Sequence, residues 1–161
     1  MRVVYHGGTE IVERPDVSKG RDGLDFGKGF YITDIQHQAE LWADHMKRIR
    51  LGDSIVNVYE FDELTAKEKY SYKKFEKYDI EWLSFIVANR RGEKIGENYD
   101  IIEGGVANDR VIDTVEAYMS NLLPLEMALK ELSKHRPNNQ LCIRNQKVVD
   151  ECLHFVESYK I

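Results

Sequence analysis

The chain has 161 residues, is 42% hydrophobic and 11% aromatic, and carries 23 Lys+Arg against 28 Asp+Glu for a formal net charge of −5. This is enough apolar material for one core without disulfide or metal support, and it excludes collagen-like, low-complexity and disulfide-stapled classes. No apolar run approaches the roughly 20 residues of a membrane span, and the acidic balance argues against tight tracking of a nucleic-acid backbone.

The N-terminus, Met1-Arg2-Val3-Val4-Tyr5-His6, has no secretory apolar region. The two cysteines, Cys142 and Cys152, form no CxxC pair, so the expected compartment is a reducing cytoplasm. Residues 2–5 are short and β-prone, and a loop rich in glycine and charge follows over 7–29. Residues 30–33 read as a second strand. Asp34 then reads as the cap of a helix with Ile35, Ala39, Trp42, Ala43 and Met46 on one face, ended by Gly52. Residues 54–61 alternate as a strand. Residues 79–91 carry Trp82, Leu83, Phe85, Ile86 and Val87 at helical spacing, closed by Gly92. A strand over 99–103 stops at Gly104-Gly105, and Asn108 or Asp109 caps a helix to about Asn121. Pro124 opens the next helix, to about His135, and Pro137 breaks it. A strand at 140–143, a short helix at 145–151 and a strand at 153–159 complete the chain. With no repeat or linker, one domain over 1–161 is expected. Short strands and helices that do not strictly alternate predict an α+β fold.

The loop from Gly20 to Phe30 is neither a P-loop nor a dinucleotide fingerprint: no Gly-Lys-Ser/Thr follows, Gly27-x-Gly29 lacks a third glycine, and the loop opens a strand. By spacing alone it reads as a surface loop with turn glycines. His6-Gly7-Gly8-Thr9 follows the first strand, where small residues let a ligand approach the backbone; taken alone it reads as a turn. The five histidines show no metal-ligand spacing, and no Gly-x-Ser-x-Gly is present.

Together, these segments resemble the ADP-ribosyltransferase superfamily. A first strand ending in His6-Gly7-Gly8-Thr9, followed by Phe26-Gly27-Lys28-Gly29-Phe30-Tyr31-Ile32-Thr33, is similar to the first two signatures of its His-Tyr-Glu branch. That branch includes the poly(ADP-ribose) polymerases and diphtheria-type toxins. Trp42 stands eleven residues after Tyr31, where the branch has a second aromatic. Asn139-Gln140-Leu141-Cys142-Ile143 matches the position of the third signature, with Gln140 in place of the glutamate. The layout, including the segment around Tyr99 to Arg110, resembles small bacterial toxin-like members of the superfamily, over about residues 2–145.

The resemblance implies a split core of two facing antiparallel sheets with flanking helices. It implies NAD as substrate and no metal. Tyr31 and Trp42 would sandwich nicotinamide. The backbone of Gly7 would hold the carboxamide, beside Gly8 and Thr9, so that a side chain at Gly7 would strike the ligand and leave the fold intact. His6 would bond the adenosine ribose, and Arg21 or Lys28 the pyrophosphate. His6, Tyr31 and Gln140 would form the catalytic set, with Glu103, Asn108 and Asp109 the next candidates should Gln140 be misplaced. The implied activity is mono-ADP-ribosyl transfer to a protein or nucleic-acid acceptor by a cytoplasmic toxin with a cognate antitoxin and no membrane partner. Hydrolysis of NAD, or binding of NAD or ADP-ribose without turnover, are the alternatives left by Gln140, which keeps a hydrogen bond but carries no charge.

Overall fold

The computed structural model describes residues 1–161 apart from the side chain of Asp109. Two sheets form its frame. The first is antiparallel, in the order β1 (Arg2–Gly8), β3 (Ile55–Phe61), β7 (Leu153–Lys160). The second runs β2 (Phe30–Ile32), β6 (Asn139–Ile143), β5 (Ile101–Gly105), β4 (Tyr72–Lys74). It is mixed rather than antiparallel, because β4 pairs parallel to β5. The chain between them runs through α3 (Ile80–Arg90), and a parallel neighbour needs such a crossover.

The sheets face each other across a core that joins Val4, Tyr59, Phe61 and Leu153 of the first to Phe30, Ile32, Leu141 and Ile143 of the second. A second core fills the opposite face of the four-stranded sheet. There Ile102 and Cys142 pack with Phe26, Trp82, Ile86 and Leu132 beneath α3, α4 (Asp109–Met119) and α5 (Leu125–Leu132). Asp79 caps α3 by accepting from the Trp82 N–H at 3.0 Å, and the Trp82 indole donates to the Gly105 carbonyl at 3.0 Å. The helix α6 (Gln146–Cys152) leads into β7. Both cysteines are buried free thiols. Among the described residues no helix is long and apolar enough to cross a membrane.

Two expectations fail for local reasons. The first helix, α1 (Gln36–Arg50), has no side-chain cap, because the Asp34 carboxylate is 2.7 Å from Arg2 instead. Its buried face is Ala39, Ala43 and Met46 alone, whereas Ile35 and Trp42 are exposed. Two short elements were invisible to periodicity: α2 (Glu63–Lys69), whose only buried residue is Ala66, and β4, a three-residue edge strand with two lysines. Charge on an edge strand blocks further pairing, which makes it read as a loop.

Candidate functional site

The two sheets touch at one seam. Tyr5 of β1 donates to the Thr33 carbonyl at 2.7 Å and accepts from the Thr33 N–H at 3.0 Å. Tyr5 therefore spends both backbone groups on the edge away from β3, and its partner on β3, Val58, is a non-hydrogen-bonded pair. The alternation repeats every two residues, so Gly7, opposite Val56, points its own N–H and C=O toward the same edge. β2 has diverged there, and among the described residues no hydrogen bond takes either group. A donor and an acceptor thus stand side by side where the sheets part.

The reason for a glycine at position 7 is α1. A Cβ on Gly7 would lie 2.0 Å from the Ala39 carbonyl oxygen and 2.8 Å from the Ala43 nitrogen. The helix backbone needs that space, which corrects the expectation that a Gly7 side chain would strike only a ligand. Gly8 differs: the nearest atom to a Cβ there is His6 Nε2, at 3.5 Å. Thr9 is half-buried against Gly52.

The side chain of His6 lies between the sheets, its ring 4.3 Å from that of Phe30, with Nδ1 2.8 Å from the Tyr31 carbonyl oxygen. A carbonyl only accepts, so Nδ1 carries the hydrogen and the neutral ring has its lone pair on Nε2. Burial pushes the imidazole below its ordinary value of 6.5, against the opposing pull of the Tyr31 carbonyl. A neutral ring with Nε2 as acceptor under Gly8 is suited to a hydroxyl donor.

Tyr31 and Trp42 are not brought into contact. The Tyr31 hydroxyl donates to the Gly27 carbonyl at 2.5 Å and accepts from the Phe26 N–H at 3.1 Å, and its ring packs on the helix-covered side of the four-stranded sheet. Burial raises its phenol further out of the titrating range. Trp42 is 46% exposed on α1, its ring 5.3 Å from that of His45. It is not core. The glycine-rich loop is not a loose surface feature either. Phe26 is fully buried, Gly27 turns at φ +81°, and Asp25 binds Arg90 at 2.8 Å and the Ala107 N–H at 3.2 Å. Arg21 and Lys28 are exposed on this loop.

Gln140 lies beside Gly104 at the start of β6, with its Nε2 buried and without a hydrogen-bond partner among the described residues. Its neighbour Asn139 is held from three sides. The Asn139 carbonyl accepts from Thr33 Oγ1 at 2.8 Å and from Gln38 Nε2 at 3.3 Å, and its amide donates to Glu103 at 2.5 Å. Glu103 is 1% exposed and also accepts from Arg2 at 3.1 Å and from Tyr72. Burial alone would raise this carboxyl; Tyr72, Asn139 and Arg2 hold it below its ordinary value, so it is ionised. Arg2 reaches on to Asp34 and to Glu63, at 3.2 Å. Sequence reasoning missed this knot. The available signal was an acidic residue between Ile101-Ile102 and Gly104-Gly105, since a charge in an apolar strand requires a partner. Asn108 precedes α4 without a side-chain cap bond, and the Asp109 side chain lies outside the described residues.

Cys142 lies under Tyr31, and burial pushes its thiol up to about 12, which makes it an inert core residue. Among the described residues no three His, Cys, Asp or Glu side chains converge as a metal site. The family described as "Protein of unknown function (DUF3990)" matches residues 2–155. No curated protein and no solved structure matches the chain.

Proposed function

The chain belongs to the DUF3990 family, and we propose that it is an NAD-dependent mono-ADP-ribosyltransferase: one domain over residues 1–161, built on the split-core plan of that superfamily, acting in the cytoplasm as a toxin that an antitoxin restrains. The observation that carries this reading is the pair of unpartnered backbone groups on Gly7 at the parting of the two sheets. A nicotinamide carboxamide presents one donor and one acceptor, which is the complement of that pair. Trp42 supplies an exposed ring on the helix that covers Gly7, and His6 Nε2 an acceptor for a ribose hydroxyl.

In this reading the bond between the ribose C1′ and the nicotinamide nitrogen breaks, and the bonding pair leaves with neutral nicotinamide. The ribose passes through an oxocarbenium-like state, as in glycoside cleavage. A nucleophile on a protein or nucleic acid forms the new bond at C1′ and gives up its proton to solvent. Gln140 orients the ribose through its amide but supplies neither negative charge nor a base. The acceptor must therefore be nucleophilic without activation, and polymer formation is not expected. Gln140 also favours the second reading, a domain that binds NAD or ADP-ribose without turnover. Tyr31 acts through the loop: its hydroxyl fixes Gly27, and its carbonyl fixes His6.

The test is incubation of the protein with NAD labelled in the adenylate half. Nicotinamide release with label on a macromolecule supports transfer. Nicotinamide release with free ADP-ribose supports hydrolysis. Saturable binding with no release supports the binding domain, and no binding at all removes the NAD reading.

A further inference from the structure

We infer that the outward face of α1 is an interface between two copies of this chain, which pair the helix antiparallel and cover Trp42. The helix sorts its apolar residues against the usual order. The small residues Ala39 and Ala43 take the core with Met46, while Leu41, Trp42 and Ile49 stay 60%, 46% and 62% exposed. Leu41, His45 and Ile49 follow one another at one turn, with Gln38 and Trp42 beside them, so the exposed residues form a single stripe about 100° wide. The Trp42 ring lies 5.3 Å from that of His45 and continues the stripe. At one end Gln38 donates to the Asn139 carbonyl at 3.3 Å, so the stripe starts at the candidate site and runs away from it.

Charge along α1 selects the occupant. Glu40 and Asp44 come first, and Lys47, Arg48 and Arg50 crowd the last turn. Among the described residues Lys47 and Arg50 have no carboxylate within 4.0 Å, and Arg48 has only Asp44 of its own helix, at 2.8 Å. A second copy laid parallel would set these cations on their own duplicates. Laid antiparallel, it sets the basic turn of each copy toward the acidic part of the other and opposes the two helix dipoles. A two-fold axis at His45 gives the pairing its register, since positions equidistant from 45 then meet. Leu41 packs on the partner's Ile49, and the symmetry repeats that contact. The partner's Arg48 comes level with Trp42, where a guanidinium is well placed over an indole. One helix pair is at the small end of specific interfaces, so the dimer is a weak one. Resting on the NAD reading above, the dimer closes the site, because the ring that stacks on nicotinamide is the ring the partner covers.

The test is sedimentation equilibrium of the full chain between about 1 and 200 μM. Expected is a monomer–dimer equilibrium that Leu41→Glu and Ile49→Glu each weaken about tenfold or more, with melting temperatures of the dilute protein unchanged because both side chains are exposed. His45→Cys, at the axis, should cross-link to its own copy under mild oxidation. His37→Cys, about two turns away on the same helix, should not, and the native Cys142 and Cys152 are buried and do not compete. A monomer throughout, or a dimer untouched by both substitutions and not linked through position 45, overturns the inference. So does a monomer that binds vesicles of anionic phospholipid and loses them in Ile49→Glu, which gives the stripe to a lipid surface. NAD titrations separate this inference from the reading it rests on. Apparent NAD affinity that falls as the wild-type dimer forms and stays constant in Ile49→Glu supports closure; affinity independent of dimer formation overturns closure. A dimer that binds no NAD leaves the interface standing and removes the transferase, whereas a monomer that binds NAD removes the interface alone.

Discussion

The seam between the sheets has two ends that treat polar groups in opposite ways. At the Arg2 end, one buried carboxylate, Glu103, gathers Arg2, Tyr72 and Asn139, and Arg2 continues to Asp34 and Glu63. At the Gly7 end, a backbone donor and acceptor are left open. An unmet buried polar group costs about 1–3 kcal/mol, so the second end is kept at a cost to stability. The contrast teaches which end holds the fold and which end is free to bind, and it can be broken by substitution.

The largest effect belongs to the closed end. Glu103→Leu strands Arg2, Tyr72 and Asn139 and is expected to lose about 3–5 kcal/mol in urea unfolding, the cost of breaking a buried pair from one side. Glu103→Gln, which still accepts, loses less. Wild-type midpoints for both would mean that the knot does not close the seam.

Gly7→Ala comes next, at about 1–3 kcal/mol of stability, because its Cβ would enter the α1 backbone at 2.0 Å. Gly8→Ala, whose Cβ has only His6 Nε2 at 3.5 Å, is expected to keep the wild-type melting temperature. It should still weaken NAD, because it narrows access to that nitrogen. Equal melting temperatures for the two variants would show that α1 does not rest on Gly7.

Trp42→Ala isolates the open end. At 46% exposure the ring contributes little to the core, so unfolding should shift by less than about 1 kcal/mol. NAD affinity should fall about tenfold through lost stacking. A folded variant with unchanged affinity would remove Trp42 from the site.

The smallest effect separates the two ends by pH. His6 has a folded value below its ordinary 6.5, so its contribution to stability is complete above pH 6.5 and is lost as pH falls through the folded value. Glu103 has a folded value below its ordinary 4.5, so its contribution is lost only as pH falls further. His6→Gln should flatten the stability profile just below pH 6.5 and leave the acid limb intact. A profile unchanged in that window would mean that His6 is not held neutral.

Much of this contrast was readable in the sequence, though unevenly. Six of the seven strands and five of the six helices leave apolar runs, alternation or capping residues, as Asp79 and Pro124 do for α3 and α5. The order His6-Gly7, Tyr31, Asn139-Gln140 pointed to one neighbourhood, and the fold places His6 against Tyr31 and Thr33 against Asn139. What the sequence hid is long-range. Arg2 and Glu103 lie 101 residues apart and leave no periodic trace. The parallel pairing of β4 follows from a crossover, not from its own three residues. The role of Gly7 as a seat for α1 depends on a helix 32 residues away in sequence, at Ala39. Trp42 was placed on an apolar face because helical spacing counts apolar residues; small residues at the contact left it outside.

The most direct test of the central claim is the backbone amide resonance of Gly7 during an NAD titration of isotopically labelled protein. The account predicts a saturable shift of the Gly7 N–H, with Gly8 and His6 moving on the same curve and nicotinamide producing part of the change by itself. A Gly7 amide that stays fixed up to millimolar NAD would contradict it.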